Sequence, residues 1–259
     1  MRLDPSPCRP QFAADPRPSL ATPTRLSGPL AVALLTTLSA LALMLAPGAG
    51  LAADAPQPTA SAEAPLPAAT EAAYTAALAS FNRALAGDDA ALDSSLAQWR
   101  ALLATDPARA ASPVYRAYVG AATALQSRTT VFPWKKLSRA DDGLALIDKA
   151  LAQLTPAHDA LRVGGVPASL LVRFTAASTF NALPSMFNRG ERGARLMDEL
   201  LKSPLLAAAP LGFQGAVWLR AADDASRAQQ ADQARQLLQK LAASGAPQAV
   251  LAQSRLKAL

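Results

Sequence analysis

The chain is poor in the two residue types that most often build metal sites and covalent cross-links. It has one cysteine, Cys8, and one histidine, His158, among its 259 residues. A single cysteine cannot form a disulfide within the chain, and a single histidine gives no metal-binding spacing. His158 follows Pro156 at the predicted start of a helix, where we interpret it as a surface residue rather than a catalytic one. We therefore predict no cofactor and no metal.

The sequence signatures of enzymes are missing as well. There is no glycine-rich phosphate loop and no G-x-S-x-G elbow. Ser254 and Lys257 match S-x-x-K, but they lie in the last six residues without the companion motifs of a serine acylase. We interpret the acidic pairs Asp88-Asp89 and Asp141-Asp142 as charges at helix N-termini, and Asp223-Asp224 as a pair at a helix end or in a loop. The sequence therefore predicts a protein without catalytic activity.

One long apolar run is present, from Leu30 to Ala46, and it is preceded by Arg25. Gly50-Leu51-Ala52 behind it offers small residues at the −3 and −1 positions of a signal-peptidase site, which is typical of a secretory signal peptide. Pro47-Gly48 after the run favours cleavage. We therefore predict a periplasmic or secreted protein. The alternative is an inner-membrane anchor through Leu30–Ala46, since the run is slightly shorter than a bilayer core of about 30 Å.

Cleavage divides the chain into a leader at 1–52, a linker at 53–68 and a domain at 69–259. The linker is rich in alanine and proline, a composition that predicts an extended tether. Because Cys8 lies in the leader, the processed chain has no thiol for a disulfide, a metal or a nucleophile. Its small excess of basic residues is spread along the chain, unlike the clustered footprint of a nucleic-acid-binding protein.

The domain is rich in alanine and leucine and poor in β-branched residues, which predicts helices and no strand. Asp88 is the predicted N-cap of the second helix, and Ser226 with Gln229 forms a predicted capping box for the eighth. We predict helices at about 69–86, 89–104, 112–126, 138–154, 167–182, 191–202, 210–223, 227–243 and from 247 onward. Short connections between them predict an all-α fold of antiparallel helix pairs.

Large apolar residues recur on one face of each of the first four predicted helices. On the first helix this face carries Tyr74, Leu78, Phe81 and Leu85, and on the second Leu92, Leu96, Trp99 and Leu103. On the third it carries Tyr115, Tyr118, Val119 and Ala122, and on the fourth Leu144, Ile147 and Leu151. We expect these faces to form the core.

Apolar residues near the C-terminus follow a regular spacing, at Trp218, Ala221, Ala222, Ala225, Ala234, Leu238 and Leu241. This spacing resembles that of a tetratricopeptide repeat. Small residues at Ala222 and Ala234 would let two helices approach closely, but Ala225 stands where the repeat usually has tyrosine. The resemblance covers about 90–250 unevenly. It implies a tetratricopeptide-like α-solenoid or compact helical array that contacts other proteins, with no catalytic residues.

Three further segments stand out, PWKK at 133–136, GLALIDKA at 143–150 and LPSMFNR at 183–189. They are similar to segments of a group of exported bacterial helical-repeat proteins. This likeness brings no activity with it.

Two connections between helices, at 128–136 and 180–190, combine aromatic, proline and basic residues. Their candidate partner-binding residues are Phe132, Trp134, Lys135, Lys136, Phe187 and Arg189. If the connections meet on one edge, they would form an apolar platform edged by cations, suited to an acidic peptide or an anionic ligand. The competing interpretation, which we favour, is that Phe132, Trp134, Met186 and Phe187 fill the core.

We predict an exported scaffold or adaptor that binds an envelope protein or peptide. We predict no nucleic-acid partner, and membrane contact only through an uncleaved signal. The alternative is a small-ligand or lipid-binding helical bundle with its pocket under the connections at 128–136 and 180–190. An apolar cavity there favours the alternative, an open concave groove favours the adaptor, and convergent carboxylates in a cleft would indicate a hydrolase.

Overall fold

The structure, a computed structural model, describes residues 66–105 and 110–258. The leader, the signal region and almost all of the predicted linker lie outside these residues. The described part of the chain is all-α, as predicted, with eleven α-helices. They are α1 (Ala68–Leu85), α2 (Asp89–Thr105), α3 (Ser112–Leu125), α4 (Pro133–Ala152), α5 (Ala157–Ala160), α6 (Ala168–Ala182), α7 (Gly190–Lys202), α8 (Pro204–Ala207), α9 (Leu211–Arg227), α10 (Ala231–Ala243) and α11 (Ala249–Leu256).

Two short strands interrupt the helices, contrary to the prediction of none. Strands β1 (Arg162–Val163) and β2 (Val166–Pro167) pair antiparallel, with Val163 opposite Val166. The turn between them is Gly164-Gly165, and both glycines have positive φ, 58° and 76°. A two-residue hairpin turn of this kind needs left-handed backbone at both positions, which glycine adopts without steric cost.

Helix α4 begins five residues before its predicted start. Pro133 occupies its first turn, where the fixed φ of proline suits a helix and its missing N–H costs nothing. Trp134, Lys135 and Lys136 therefore belong to a helix rather than to a connection. Asp141 and Asp142 consequently lie in the middle of α4, and their interpretation as charges at a helix N-terminus was wrong.

The boundary between α9 and α10 also differs from the prediction. Helix α9 continues through Ser226 to Arg227, Gln229 has a φ of 59°, and α10 begins at Ala231 without a side-chain cap. The predicted capping box of Ser226 and Gln229 is therefore not formed. Arg227 pairs with Asp224 at 2.6 Å and donates to the carbonyl oxygen of Asn181 at 3.1 Å, which stabilises an extra turn of α9.

Consecutive helices pack in pairs, α1 with α2, α3 with α4, α6 with α7 and α9 with α10. The predicted faces of α1 to α4 supply much of the main core, although Leu85 is exposed. The centre of the main core is aromatic. Trp99 is fully buried there and stacks on Tyr118 with ring centroids 4.2 Å apart. A second cluster, formed by Trp218, Ala222, Leu238, Leu241, Ala246 and Ala252, joins α9 to α10 and α11.

Candidate functional site

A cleft of about 980 Å³ lies between α1, α3, α6 and α9. Aromatic and aliphatic side chains make up most of its wall, with Leu78 and Phe81 from α1, Leu171 and Phe174 from α6, and Phe213 from α9. Phe174 and Phe213 meet edge to face, with centroids 5.4 Å apart. The cleft is therefore a preformed apolar space inside the helical array.

One end of the cleft is closed by the β1–β2 hairpin. Gly164 packs so closely on the ring of Tyr74 that an added Cβ would lie 2.6 Å from Cε1 of that ring. The Glu71 carboxylate accepts the Gly164 N–H at 3.1 Å and fixes the hairpin against α1. Val166 and Pro210 line the cleft beside these residues. We call this apolar region, formed by Tyr74, Gly164, Val166 and Pro210, the hairpin end.

Two arginines lie toward the opposite end of the cleft. Nη2 of Arg128, three residues beyond α3, donates to the Ala84 carbonyl oxygen at 2.9 Å. Nη2 of Arg220 on α9 donates to the Ser178 carbonyl oxygen at 2.7 Å, one turn before α6 ends. Both contacts lie near the C-terminal ends of α1 and α6, whose N-terminal halves face the hairpin. We call the region of Arg128 and Arg220 the arginine end.

The charge of the cleft has one sign. Arg128 and Arg220 are the charged residues among the described residues of its wall, which includes no aspartate or glutamate. Arg128 is exposed and forms no ion pair with a carboxylate of the described chain. Arg220 pairs with Asp224 at 3.1 Å, but Asp224 also pairs with Arg227. This group of three therefore keeps a net positive charge. Burial lowers the pKa of Arg220, and the Asp224 carboxylate opposes that shift.

Two tyrosine hydroxyls lie in the wall of the cleft. Those of Tyr74 and Tyr118 hydrogen-bond to each other, and Tyr118 also hydrogen-bonds to Thr175 on α6. Burial raises the pKa of both tyrosines above the ordinary value of 10.0. Their hydroxyls are therefore neutral at physiological pH and use their hydrogen-bonding capacity within the wall.

Two polar atoms at the cleft have no hydrogen-bond partner among the described residues. They are Oγ of Ser178 and Oε1 of Gln248, both buried. The Gln248 amide is held in place because its Nε2 donates to the Gly212 carbonyl oxygen at 3.0 Å. Buried polar atoms without a partner are costly unless something in the site satisfies them. The Gln248 oxygen lies against Gly215 of α9, where an added Cβ would clash with it.

Four of the predicted partner-binding residues lie at the start of α4. Phe132 and Trp134 are 49% and 67% exposed, and their ring centroids are 5.1 Å apart. Lys135 lies over the Phe132 ring at 5.0 Å, and Lys136 is exposed beside it. Phe132 and Trp134 therefore do not fill the core, contrary to the interpretation that the sequence favoured. Met186 is exposed as well.

Phe187 and Arg189 lie elsewhere on the surface. Phe187 is half-buried and packs against the main core, as predicted for it. Arg189 pairs with Asp148 near the end of α4 at 2.9 Å. Asp148 follows Trp134 by fourteen residues, or about 21 Å along the helix. The structure therefore does not join the six candidate residues into one platform.

Both connections contribute to the edge of the cleft. Arg128 from 128–136, and Ala182, Leu183 and Pro184 from 180–190, line it. The alternative prediction placed a pocket under these connections, whereas most of the wall of this cleft comes from α1, α3, α6 and α9. The rest of the wall was not predicted, although the Gly-Gly pair between valines was a hairpin signal that could have located one end of it.

The remaining polar residues singled out in the sequence have local partners. Asp88 accepts the Ala91 N–H at 3.0 Å and caps α2, which confirms its predicted role. His158 lies in the short helix α5, and its Nδ1 accepts the Thr155 N–H at 3.0 Å. Asp223 pairs with Arg255. In the described residues no three histidine, cysteine, aspartate or glutamate side chains are grouped as a metal site would require.

Comparison of the chain with protein-family models, curated proteins and solved structures gives no match. The tetratricopeptide resemblance therefore stays a prediction, as does the likeness to exported helical-repeat proteins. Within 66–105 and 110–258 no helix is both long and apolar enough to cross a membrane. The Leu30–Ala46 run lies outside those residues.

Proposed function

We propose that the protein is a non-enzymatic binding protein that holds a small, largely apolar ligand in the cleft between α1, α3, α6 and α9. The observation that carries the proposal is the cleft itself, with its volume of about 980 Å³ and its wall of aliphatic and aromatic side chains. Ligand sites in proteins are commonly concave, mostly apolar and about 300–1,000 Å³ in volume, with a few fixed polar groups.

The sequence analysis favoured an adaptor and gave a ligand-binding helical bundle as the alternative. This proposal puts ligand binding first. An apolar cavity under the two connections was the feature expected to favour ligand binding over an adaptor role. Arg128 and Pro184, one from each connection, line the cleft. Export remains part of the proposal on the strength of the Leu30–Ala46 run, and the ligand would then be met in the periplasm or outside the cell.

The proposal is tested by filling the cleft. Ala216 on α9 lines it and is half-buried, so Ala216→Trp would place an indole in the space that a ligand needs. Ala90 on α2 is exposed and does not line the cleft, so Ala90→Trp is the matched control. We expect the neutral dye Nile red to bind the wild-type protein and Ala90→Trp with equal affinity, measured by fluorescence titration.

Ala216→Trp should weaken dye binding by about tenfold or more, because its side chain competes directly for the same volume. Circular dichroism of the variant should match that of the wild type. Equal dye affinity in all three proteins, or no binding to any of them, would contradict ligand binding in this cleft.

A second candidate function is the adaptor role first predicted, now confined to the start of α4. Val131, Phe132 and Trp134 are all exposed there. Residues 126–140 include Arg128, Lys135, Lys136 and Arg139 but no acidic residue. Exposed aromatics edged by cations suit an acidic peptide of an envelope protein, because tryptophan and arginine dominate the energetics of many protein interfaces.

Capture from the cell envelope tests this second function. The wild-type protein should retain a specific protein that Trp134→Ala fails to retain. Leu251→Ala, on an exposed position of α11, should retain it like the wild type. Retention by Trp134→Ala would exclude this surface as the binding site.

A further inference from the structure

The two ends of the cleft differ in chemistry, and the difference identifies the class of ligand. Helices α1 and α6 run in the same direction past the cleft. Tyr74 near the start of α1 meets the hairpin, whereas Ala84 near its end meets Arg128. Ser178 of α6 lies beside Arg220 in the same way, far from the hairpin that precedes this helix. Apolar and cationic groups are therefore separated along the cleft.

We infer that the ligand is an amphiphile with one anionic head group and an apolar tail, the head held at Arg128 and the tail directed to the hairpin end. This inference rests on the proposed function and names the chemistry of its ligand. The stretch of α6 that lines the cleft extends about 16 Å, from Leu171 to Ala182, and carries Thr175, Ser178 and Thr179 as well as Leu171, Phe174 and Ala182. An elongated amphiphile can span that length between the hairpin end and the arginine end.

The charge of the head group follows from the wall. A ligand there meets two guanidinium groups and no carboxylate. Arg128 has no carboxylate partner in the described chain, and Asp224 is shared between Arg220 and Arg227. An anion is therefore favoured at the arginine end. A cationic head would be repelled, and a neutral one would gain no charge-assisted hydrogen bond.

The arginines also have a structural role, which does not use up their hydrogen-bonding capacity. Each donates through one Nη to a carbonyl near the end of a helix, where the helix dipole favours a cation. A guanidinium has five N–H donors. The Ala84 contact occupies Nη2 of Arg128, and this exposed side chain keeps further donors for a carboxylate, sulfate or phosphate oxygen.

The hairpin end suits the apolar tail of the ligand. Val166, Pro210 and Phe213 line it beside the Gln248 amide, whose Nε2 is bound to the Gly212 carbonyl oxygen. The Tyr74 hydroxyl is already hydrogen-bonded to Tyr118. Burial of hydrocarbon there is driven by the hydrophobic effect. The head then fixes orientation while the tail provides most of the affinity.

Calorimetric titration of the purified full-length protein tests the inference with three probes of equal chain length. They are dodecanoate, dodecan-1-ol and dodecyltrimethylammonium, each below its micelle-forming concentration and at pH 8. We expect dodecanoate to bind about tenfold or more tightly than the alcohol, and the ammonium compound to bind most weakly. The same three titrations are then repeated on Arg128→Met, with Arg100→Met, an exposed position of α2, as control.

Arg128→Met should lower the affinity for dodecanoate to that for dodecan-1-ol and leave the alcohol unchanged. Arg100→Met should behave like the wild type. Equal binding of all three probes would overturn the anionic head while leaving the cleft as a ligand site. A preference for dodecanoate that survives in Arg128→Met would overturn the placement of the head. Binding of none of the probes, together with no binding of Nile red, would overturn the proposed function itself.

Discussion

Gly120 of α3 and Gly143 of α4 face each other at a contact that leaves no room for a side chain. A Cβ on Gly120 would lie 2.7 Å from the Gly143 carbonyl oxygen, and one on Gly143 would lie 2.5 Å from that of Gly120. Backbone therefore meets backbone where the two helices pack. Gly143 lies next to Ala124, near the last residue of α3, so the first two turns of α4 extend past α3. That register leaves Trp134 and its neighbours in solvent.

Gly120→Ala should destabilise the protein by about 1–3 kcal/mol, because the obstructing atoms are mainly backbone and cannot move aside without shifting a helix. Gly190→Ala at the start of α7 is the control, since a Cβ there meets nothing within 4 Å. It should be neutral or slightly stabilising. Urea unfolding measures both. A Gly120→Ala variant as stable as the wild type would contradict the close contact of α3 with α4.

The core faces were predictable because helical periodicity alone identifies them. Tyr74, Trp99 and Tyr118 each belong to the periodic apolar face of their own helix. All three are buried, and their rings contact one another. The start of α4 was missed because Pro133 was assigned to the connection at 128–136, although proline in the first turn of a helix is a start signal. The hairpin was missed because two-residue strands have too few residues to show an alternating pattern.

The cleft could not be predicted from the sequence. Arg128 and Arg220 belong to helices or connections ninety-two positions apart in the chain, and what brings them to one end is the packing of α6 on α3 and α9. Periodicity places a residue on a face of its own helix, but it does not say which faces leave a space between them. Leu85 illustrates this, because it matches the core pattern of α1 yet lines the cleft and is exposed.

Alkaline pH should destabilise the protein through Tyr74 and Tyr118. Burial raises the pKa of each in the folded state, whereas the unfolded value is about 10. Below pH 10 both states keep the phenol protons and stability is unaffected. Above it the unfolded chain loses them while the folded protein keeps them. The free energy of unfolding then falls by about 1.4 kcal/mol per pH unit for each tyrosine.

Urea unfolding between pH 8 and 11 measures that slope. The informative comparison is with the double variant Tyr74→Phe, Tyr118→Phe, which lacks both hydroxyls. Its free energy of unfolding should decline less steeply, by about 2.7 kcal/mol per pH unit when both tyrosines contribute fully. Identical slopes in the two proteins would show that these hydroxyls ionise freely in the folded state.

Replacing each of two tryptophans by alanine should show which one stabilises the core and which one lies on the surface. Trp99 is fully buried against Tyr115 and Tyr118, so Trp99→Ala should cost about 3–5 kcal/mol or prevent folding. Trp134 is largely exposed, and Trp134→Ala should change the free energy of unfolding by less than about 0.5 kcal/mol. Thermal melting followed by circular dichroism measures both. A large loss of stability in Trp134→Ala would restore the interpretation that this residue fills the core.

Arg189 should prove to be a structural residue rather than a partner-binding one. It pairs with Asp148, and the two side chains are 29% and 31% exposed. It also lies over the Phe180 ring at 5.5 Å. Arg189→Ala therefore removes both an ion pair between α4 and the start of α7 and a cation–π contact. We expect a loss of about 1 kcal/mol, measured by urea unfolding, since Arg192 still pairs with Asp148 at 2.6 Å.

The control is a more exposed ion pair within one helix. Lys202 pairs with Asp198 at 3.1 Å, but the side chains are 77% and 57% exposed and share a single helix. Water and salt screen such a pair, so Lys202→Ala should cost less than about 0.5 kcal/mol. If Arg189→Ala costs no more than Lys202→Ala and abolishes the capture of a partner protein instead, Arg189 acts at an interface. If Arg189→Ala lowers the free energy of unfolding but leaves partner capture unchanged, Arg189 acts by linking α4 to the start of α7.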